Sequence, residues 1–328
     1  MVRSLIPVLL AASAGLSPLQ AQTPSPANAG AGSIDKTSQT EDVRFRTESY
    51  DRMTVPVRLS GTGPYRFLVD TGANRTAISR QLASQLKLRS GDKAVLHSVV
   101  GQSVATTAIV PSLQLTRKPV KSIEAPLLES ANMGADGILG TDALRMQRVV
   151  FDFATQTMSV VPSNRPETSD EPGTIVIEGR RRNGRLIITD ATANGRKLTV
   201  VLDTGSEVTV GNEALRAALA KGGLLPDTQP VTLLSVTGGL ITGDYMFVKE
   251  LDIGGVTLQN LAIVFAPVHT FRQLKLDDRP AVLLGMNAMR AFKKVSIDFA
   301  NLTMRVVVPE SSSLDVQVAE RGSPQVGR

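Results

Sequence analysis

Two Asp-Thr-Gly triplets are the part of the sequence best suited to chemistry. The first is Asp70-Thr71-Gly72, after the apolar run 67–69, and the second is Asp203-Thr204-Gly205, after the apolar run 200–202. The glycine lets the backbone turn tightly, and the threonine hydroxyl can hydrogen-bond a facing backbone group. Two carboxylates at short range cannot both ionise, so they share one proton and supply an acid and a base at the same pH. The triplets therefore predict a site in which Asp70 and Asp203 activate a water molecule.

A second block of sequence recurs behind each triplet. Ile138-Leu139-Gly140 is followed by Asp152, and Leu283-Leu284-Gly285 is followed by Asp298. Two blocks in the same order indicate a duplicated domain. Each copy then supplies one carboxylate, so both copies are needed for a pair. We interpret Asp152 and Asp298 as structural strand residues, since charged residues are common on edge strands.

The composition excludes several other kinds of site. The chain of 328 residues has no cysteine, which rules out disulfides, thiol nucleophiles, iron–sulfur clusters and Cys-ligated zinc. Its two histidines, His97 and His269, stand in no HExxH or GxSxG setting, and we interpret them as surface or packing residues. Aromatic residues make up 4% with no Trp, and the net charge is +6, so no nucleic-acid partner is indicated. We expect neither a metal nor an organic cofactor.

The elements that would carry the triplets are mostly short strands. Alternating patterns predict strands at 54–59 and 186–189, each meeting a turn. Apolar periodicity predicts short helices at 79–86, 142–146, 213–220 and 287–292. The run 180–185 is predicted to be a solvated hairpin turn on Asn183-Gly184, with an anion patch or a site nicked by other proteases as alternatives. The predicted fold class is mainly β, in two small lobes.

Both triplets, with the glycine blocks that follow them, resemble the aspartic proteases of the retropepsin and pepsin kind, most closely bacterial single-chain retropepsin-like members. The resemblance covers nearly all of residues 50–308. It implies two homologous retropepsin-like β-barrel lobes with a catalytic cleft between them. It also implies that Asp70 and Asp203 are catalytic and that Gly140 and Gly285 pack beneath the catalytic loops. The supporting loop residues would be Thr71, Gly72, Ala73, Thr204, Gly205 and Ser206.

Two candidate flaps follow the triplets, at 96–102 and 233–240. Each has glycine at a predicted hairpin tip, and such hairpins can close over a cleft and clamp an extended peptide. Ordinary surface hairpins are the alternative. The predicted substrate and flap residues are Val99, Val100, Gly101, Thr237, Gly238 and Gly239.

The sequence departs from the retroviral pattern in three places. Thr141 and Met286 stand where retroviral enzymes usually carry arginine, so an ion pair of that kind between the lobes is not expected. No tyrosine stands at either flap tip. Ala73 in the first loop corresponds to Ser206 in the second. A Ser206 hydroxyl bonded to Asp203 would favour its ionised form, so we expect Asp203 to be the more acidic partner.

The remaining segments are assigned from composition. Arg3 and the apolar run 5–16 predict a signal peptide over residues 1–22, with an uncleaved N-terminal anchor as the alternative. No later segment reaches membrane-spanning length. The other predicted divisions are a flexible linker or propeptide at 23–46, the N-terminal lobe at 47–161, an inter-lobe linker at 162–173, the C-terminal lobe at 174–309 and a disordered tail at 310–328.

Together these features predict an exported aspartic endopeptidase, periplasmic or secreted, that hydrolyses an extended polypeptide. Apolar side chains beside the cut bond are the expected preference. A monomer is expected, because one chain carries both half-sites. The alternatives are a catalytically inactive exported peptide-binding module with the same fold, and an envelope scaffold that uses the linker and the tail.

Overall fold

The structure, a computed structural model, describes residues 53–115, 119–165, 171–221 and 228–309. Four short strands outside these ranges are also placed: Ile6–Pro7, Glu41–Arg44, Arg46–Thr47 and Val316–Val318. The predicted signal peptide, the linker 23–46 and the tail 310–328 lie largely outside the described residues. The lobe boundaries therefore stay predictions.

The first lobe is built on an eight-stranded sheet. Its strands lie in the order Arg46–Thr47, Met53–Leu59, Thr62–Val69, Gly137–Leu139, Ala77–Ser79, Val120–Leu128, Gly101–Gln114 and Arg89–Ser98. Strand Thr62–Val69 is parallel to Gly137–Leu139, with Val69 opposite Leu139. This pairing brings the end of the first apolar run beside the first glycine block, although the two are far apart in sequence.

The second lobe repeats this pairing within a twelve-stranded sheet. Strand Thr199–Leu202 is parallel to Ala281–Leu284, with Leu202 opposite Leu284. A mainly β protein with two β-rich lobes is thereby confirmed. The main path of the sheet is Ile6–Pro7, Gln229–Leu234, Leu240–Ile253, Val256–Phe265, Thr209–Gly211, Ala281–Leu284, Thr199–Leu202, Arg185–Ile188 and Arg180–Arg182, with Ala191–Ala193, Arg196–Lys197 and Val316–Val318 at its side.

A six-stranded sheet joins the two lobes. Its order is Thr174–Glu178, Thr303–Val307, Lys294–Asp298, Gln147–Asp152, Thr157–Pro162 and Glu41–Arg44. At its centre, Val149 of the first lobe lies opposite Ile297 of the second. Asp298 is buried and accepts hydrogen bonds from the backbone N–H groups of Ala300 and Asn301, at 3.0 and 2.8 Å. Those bonds give Asp298 a structural role, although its strand lies inside the sheet and not at an edge, as the prediction had assumed.

The helices among the described residues are short. Helix Glu213–Ala220 has the predicted bounds, and Arg80–Gln85 lies within the predicted range 79–86. Asn212 caps the former by accepting a hydrogen bond from Leu215 N at 2.9 Å. The others are Ser130–Met133, Thr141–Leu144, His269–Gln273 and Met286–Met289. No described helix has the length and apolar character needed to cross a membrane.

The hydrophobic core has one large cluster and two smaller ones. The large cluster extends through both lobes and includes Val149 and Ile297 of the joining sheet. A smaller cluster in the first lobe contains Leu68 and Ile138, and another in the second lobe contains Leu283. These two smaller clusters lie beside the cleft described below, so the cleft walls are largely apolar.

The joining sheet generates a stability prediction. Ile297→Ala should lower the free energy of unfolding by about 2–5 kcal/mol, because it opens a cavity in a fully buried position shared by the two lobes. Val176→Ala is the matched control, since Val176 lies on the same sheet but is 43% exposed, and it should cost about 0.5 kcal/mol or less. Urea unfolding of both variants measures this, and equal losses would contradict it.

Candidate active site

The two Asp-Thr-Gly loops begin where a buried strand ends. The Asp70 backbone N–H donates to the Leu139 carbonyl oxygen, and the Asp203 backbone N–H donates to the Leu284 carbonyl oxygen, both at 3.0 Å. Each aspartate is therefore held at the end of its strand by the neighbouring parallel strand. The two carboxyl side chains line one cleft.

Thr71 and Thr204 join the loops of the two lobes by reciprocal hydrogen bonds. The Thr71 backbone N–H donates to Thr204 Oγ1 at 3.1 Å, and the Thr204 backbone N–H donates to Thr71 Oγ1 at 3.0 Å. The Thr204 hydroxyl donates in turn to the Val69 carbonyl oxygen at 2.7 Å. Both threonines are buried, so this cross-link holds the loops face to face away from water.

Gly72 and Gly205 let each loop approach the aspartate of the other lobe. A Cβ on Gly72 would lie 2.5 Å from Asp203 Oδ1, and a Cβ on Gly205 would lie 2.3 Å from Asp70 Cγ. Any side chain at either position would collide with a carboxyl group. The two aspartates therefore belong to one site, each lying against the loop of the opposite lobe.

Each carboxyl group accepts a hydrogen bond from its own loop. The Ala73 N–H donates to Asp70 Oδ1 at 2.9 Å, and the Gly205 N–H donates to Asp203 Oδ1 at 3.2 Å. Backbone donors of this kind favour the ionised form of a carboxyl group. Both loops supply one such donor.

The Ser206 hydroxyl does not act as predicted. It donates to the Val208 carbonyl oxygen at 2.7 Å, and a hydroxyl has only one proton to donate. The predicted donation to Asp203 is therefore wrong. The physical reason is local, because serine readily bonds a backbone group two residues away in a turn. The expectation that Asp203 is the more acidic partner loses its stated cause.

The glycines of the second blocks lie beneath the loops, as the resemblance implied. A Cβ on Gly140 would lie 2.5 Å from the backbone carbonyl carbon of Arg75. On Gly285 it would lie 2.4 Å from the backbone carbonyl carbon of Val208. The chain leaving each triplet thus crosses directly over a glycine, and no larger residue fits there.

Sequence reasoning missed a polar support below each loop. Thr76 Oγ1 donates to Asp142 Oδ1 at 2.7 Å and accepts from the Gly140 N–H at 3.2 Å. In the second lobe, Thr209 Oγ1 donates to Asn287 Oδ1 at 2.9 Å and accepts from the Gly285 N–H at 3.2 Å. The signal was present in the sequence, because the threonine is the sixth residue after each aspartate and the Asp or Asn the second after each glycine.

A cleft of about 300 Å³ lies between the lobes above Asp70 and Asp203. The two aspartates lie among its polar lining residues, and its walls carry apolar side chains from both lobes: Leu96, Val99, Leu128, Met133, Ile138, Val208, Val210, Leu233, Val236 and Leu283. An apolar groove with a few converging polar groups is typical of a substrate site. Two further polar residues of the cleft, Asn74 and Glu207, follow the triplets at corresponding positions.

Both predicted flaps are hairpins over this cleft. The first joins Arg89–Ser98 to Gly101–Gln114, with Ser98 opposite Gly101. The second joins Gln229–Leu234 to Leu240–Ile253, with Leu234 opposite Leu240. The predicted residues Val99, Val100 and Gly101 lie at the first tip, and Thr237, Gly238 and Gly239 lie at the second.

The flap tips reach across to the opposite lobe. Val99 packs against the small cluster of the second lobe, and Val236 packs against the small cluster of the first lobe. The tips also meet each other, because a Cβ on Gly239 would lie 2.6 Å from Val100 Cγ2. The cleft is therefore covered by both hairpins in this structure.

The two histidines meet at the first flap, 172 residues apart in sequence. His97 Nδ1 lies 2.9 Å from His269 Nε2, and the rings stack with centroids 5.2 Å apart. The His269 backbone N–H donates to the Val99 carbonyl oxygen at 2.7 Å. The pKa of His269 is lowered by burial and, after that, by the nearby His97 and Arg272. The pair connects the flap of the first lobe to helix His269–Gln273 of the second.

Arg185 is the main departure from the predicted solvated turn. Asn183 and Gly184 do form a turn with positive φ, but Arg185 begins the next strand and only 5% of it is exposed. Its Nε donates to the Gly72 carbonyl oxygen at 2.6 Å. Its pKa is lowered by burial, while the carboxyls of Asp203 and Asp70 act in the opposite direction. A buried cation from the second lobe therefore holds the Asp-Thr-Gly loop of the first.

No three His, Asp or Glu side chains in the described part of the chain lie together as a metal cluster would require. Two histidine nitrogens in mutual contact are too few ligands for a dedicated site.

The two lobes, each with an Asp-Thr-Gly loop facing the other, define the architecture of an aspartic protease. Residues 55–146 match the gag-polyprotein aspartyl protease family, and residues 189–288 match a second aspartyl protease family. The two matches together span more than half of the chain. The chain belongs to the retropepsin-like aspartic proteases, a class whose substrates are polypeptides. No curated protein matches the chain significantly.

The threonine cross-link predicts a matched pair of variants. Thr204→Val should lower the free energy of unfolding by about 1–3 kcal/mol, because it leaves the buried Thr71 N–H and Val69 carbonyl without a partner. Thr204→Ser keeps the hydroxyl and should cost about 1 kcal/mol or less. Chemical denaturation decides between them. Equal losses in the free energy of unfolding for Thr204→Val and Thr204→Ser would show that the cross-link does not stabilise the protein.

The histidine contact predicts a pH-dependent flap. One imidazole must be neutral to accept the hydrogen bond between the histidines. Because the pKa of His269 is lowered in the closed arrangement, His269 binds a proton more readily when the flap is open. Closure is therefore complete above the ordinary histidine pKa of about 6.5 and weakens as the pH falls below it. Amide hydrogen exchange at 98–101, corrected for intrinsic rates, should be faster at about pH 5 than at about pH 7.5.

The control for this prediction is His269→Gln, which keeps a polar atom near the Nε2 position and removes one titration. Its flap exchange should lose most of the pH step. A step of the same size in this variant, or no step in the native chain, would show that the histidines do not control the flap.

Proposed function

We propose that this protein is an aspartic endopeptidase in which Asp70 and Asp203 activate a water molecule to cut peptide bonds. The observation that carries the proposal is the buried threonine cross-link, together with the two glycines that bring each carboxyl group against the opposite loop. A binding module has no need for a carboxylate pair in that environment. The cleft above the pair is large enough for side chains on both sides of a peptide bond.

The proposed chemistry needs only the shared proton of the pair. The ionised carboxylate takes a proton from a water lying between the two groups, and the water oxygen bonds to the carbonyl carbon of the substrate. The protonated carboxyl group donates its proton to the carbonyl oxygen, which gives a neutral tetrahedral diol. When the C–N bond breaks, one proton passes to the leaving nitrogen and one diol O–H is lost to a carboxylate, so that an amine and a carboxylic acid leave the site.

Substrate would lie extended between the flaps and the loops. Hairpin edges offer main-chain hydrogen bonds to an extended peptide, and the apolar walls favour Leu, Ile, Val or Phe beside the cut bond. The flaps must open to admit the chain, because both tips contact the opposite lobe in the closed arrangement. We propose an endopeptidase because a long peptide could enter the cleft along its length once both flaps open.

We further propose that the chain is exported and acts in the periplasm or outside the cell. The support is the basic Arg3 followed by the apolar run 5–16. N-terminal sequencing of the protein recovered from its producing cell would give the cleavage site, and an intact Met1 would point to retention as an anchor.

Cleavage of a mixed peptide library tests the proposed activity. Asp70→Asn and Asp203→Asn should each lower kcat/KM by about 10²–10⁴-fold, because each removes one half of the acid–base pair. Asp190→Asn, an exposed substitution outside the cleft, is the control and should cleave normally. The assay should run from about pH 3 to about pH 7.5, since carboxylate pairs titrate in the acid part of that range.

Two results would change the conclusion. Peptides left intact at every pH by folded protein would favour the inactive peptide-binding module, and affinity for the same peptides would then support it. Cleavage that survives in both Asn variants would assign the activity to another site.

A further inference from the structure

A second cavity, of about 300 Å³, adjoins the catalytic cleft. Asn74 and Arg185 line both spaces, so the second cavity continues the cleft beyond the first catalytic loop. Its walls come from both lobes. The remaining lining residues are Thr141, Asp142, Arg145, Arg181, Gly184, Leu186, Phe299 and Leu302. An extended peptide that leaves the cleft at this end would pass into this cavity.

The charge of the cavity is strongly positive. Three arginines, Arg145, Arg181 and Arg185, line it together with one acid, Asp142. Asp142 is already occupied, because it accepts hydrogen bonds from Thr76 N, Thr76 Oγ1 and Ala143 N at 2.7–3.0 Å. None of the three arginines forms an ion pair with a carboxylate in the described part of the chain. Arg145 and Arg181 therefore have no carboxylate partner among the described residues, whereas the nearby carboxyls of Asp203 and Asp70 partly offset the charge of Arg185.

Hydrogen-bonding capacity remains around the cavity. Arg185 uses Nε on Gly72 and Nη1 on Gln273 Oε1, at 2.6 and 3.2 Å, which leaves three of its five N–H donors. Arg181 uses Nη2 on the Phe299 carbonyl oxygen. The Asn74 Oδ1 atom is buried and has no hydrogen-bond partner. An occupant that satisfies this set must accept from arginine and donate to the amide oxygen of Asn74.

The other end of the cleft is different. Glu207 occupies the position of Asn74 in the second loop and also lines the cleft. The position of Thr141 is taken there by Met286. Arg290 takes the position of Arg145, so the two ends share an arginine there but differ in Asn74 against Glu207 and in Thr141 against Met286.

We propose that the second cavity is a specificity subsite for an acidic side chain, Asp or Glu, of the substrate, with Arg145, Arg181 and Arg185 as its anion-binding residues. The substrate carboxylate bonds to the arginines, and a main-chain N–H of the same segment donates to Asn74 Oδ1. Arg145 and Arg181 are exposed at the cavity and have no carboxylate partner among the described residues. Because a hydrogen bond from arginine to a carboxylate is stronger than one to a neutral amide, an acidic substrate is favoured over its amide. This inference rests on the proposed peptidase function and names a substrate class for it: peptides with an acidic residue at one fixed position on one side of the cut bond.

The test compares matched peptides in the full chain. A library with blocked termini identifies the cut sites and excludes terminal carboxylates as the source of binding. Two peptides are then made that differ only in Glu or Gln at the preferred acidic position. The Glu peptide should have a kcat/KM about tenfold higher, the usual scale for a charge-assisted hydrogen bond. In the double variant Arg145→Gln/Arg181→Gln, the ratio of kcat/KM for the Glu peptide to kcat/KM for the Gln peptide should fall to about threefold or less.

Two controls separate recognition from folding. Arg180→Gln removes an exposed arginine that lies on the same strand as Arg181 but does not line the cavity, and it should leave the ratio unchanged. Arg145→Lys/Arg181→Lys keeps the charge and should retain most of the preference. Because the readout is a ratio of two peptides, a general loss of active protein does not move it.

The outcomes distinguish this inference from the proposed function. Cleavage without a Glu-over-Gln preference at any position, or a preference that survives in the double Gln variant, overturns the subsite and leaves the peptidase intact. If nothing is cleaved, the proposed function fails, and the Glu and Gln peptides are then made from library members that the folded protein retains; fluorescence anisotropy with this labelled pair still decides the subsite. A tighter Kd for the Glu peptide that depends on Arg145 and Arg181 supports it, and equal Kd values overturn it.

Discussion

The reciprocal hydrogen bonds between Thr71 and Thr204 are the constraint on which the rest of the site depends. They hold the backbones of two loops from different lobes within hydrogen-bonding distance of the facing threonine side chains. Both threonines are buried, so each donor and acceptor would otherwise be unpaired. The glycines of both triplets follow from this closeness, since a side chain there would collide with the facing carboxyl group. The parallel strands behind each loop and the joining sheet then give the cross-link a rigid base.

Two similar lobes on one chain are free to diverge, and the differences are concentrated around the site. Asp142 supports the first loop where Asn287 supports the second. Asn74 corresponds to Glu207, and only the first flap carries a histidine contact to the opposite lobe. Two identical lobes would offer equivalent subsites on the two sides of the cut bond. In this chain the subsites differ, with Asn74 and Thr141 on one side and Glu207 and Met286 at the corresponding positions on the other.

The sequence was sufficient for the fold class, the flap positions and the residues of both loops, because these depend on local pattern and on repeated blocks. It was not sufficient for contacts made across the lobes. Nothing local distinguishes Arg185 from the exposed arginines beside it, and only the pairing of strand Arg185–Ile188 turns its side chain inward. The His97–His269 contact depends on how a flap rests on the other lobe. The Ser206 hydroxyl donates to the Val208 carbonyl oxygen two residues away, a contact that depends on the geometry of the turn.

The joining sheet has a consequence for how the site assembles. Because Gln147–Asp152 and Lys294–Asp298 pair within one polypeptide, the encounter of the two Asp-Thr-Gly loops is an intramolecular event. Its effective concentration is set by the connecting chain, on the order of millimolar for a short linker, and does not fall on dilution. A site divided between separate chains would come apart as the protein became scarce. Here one polypeptide carries a complete pair of loops.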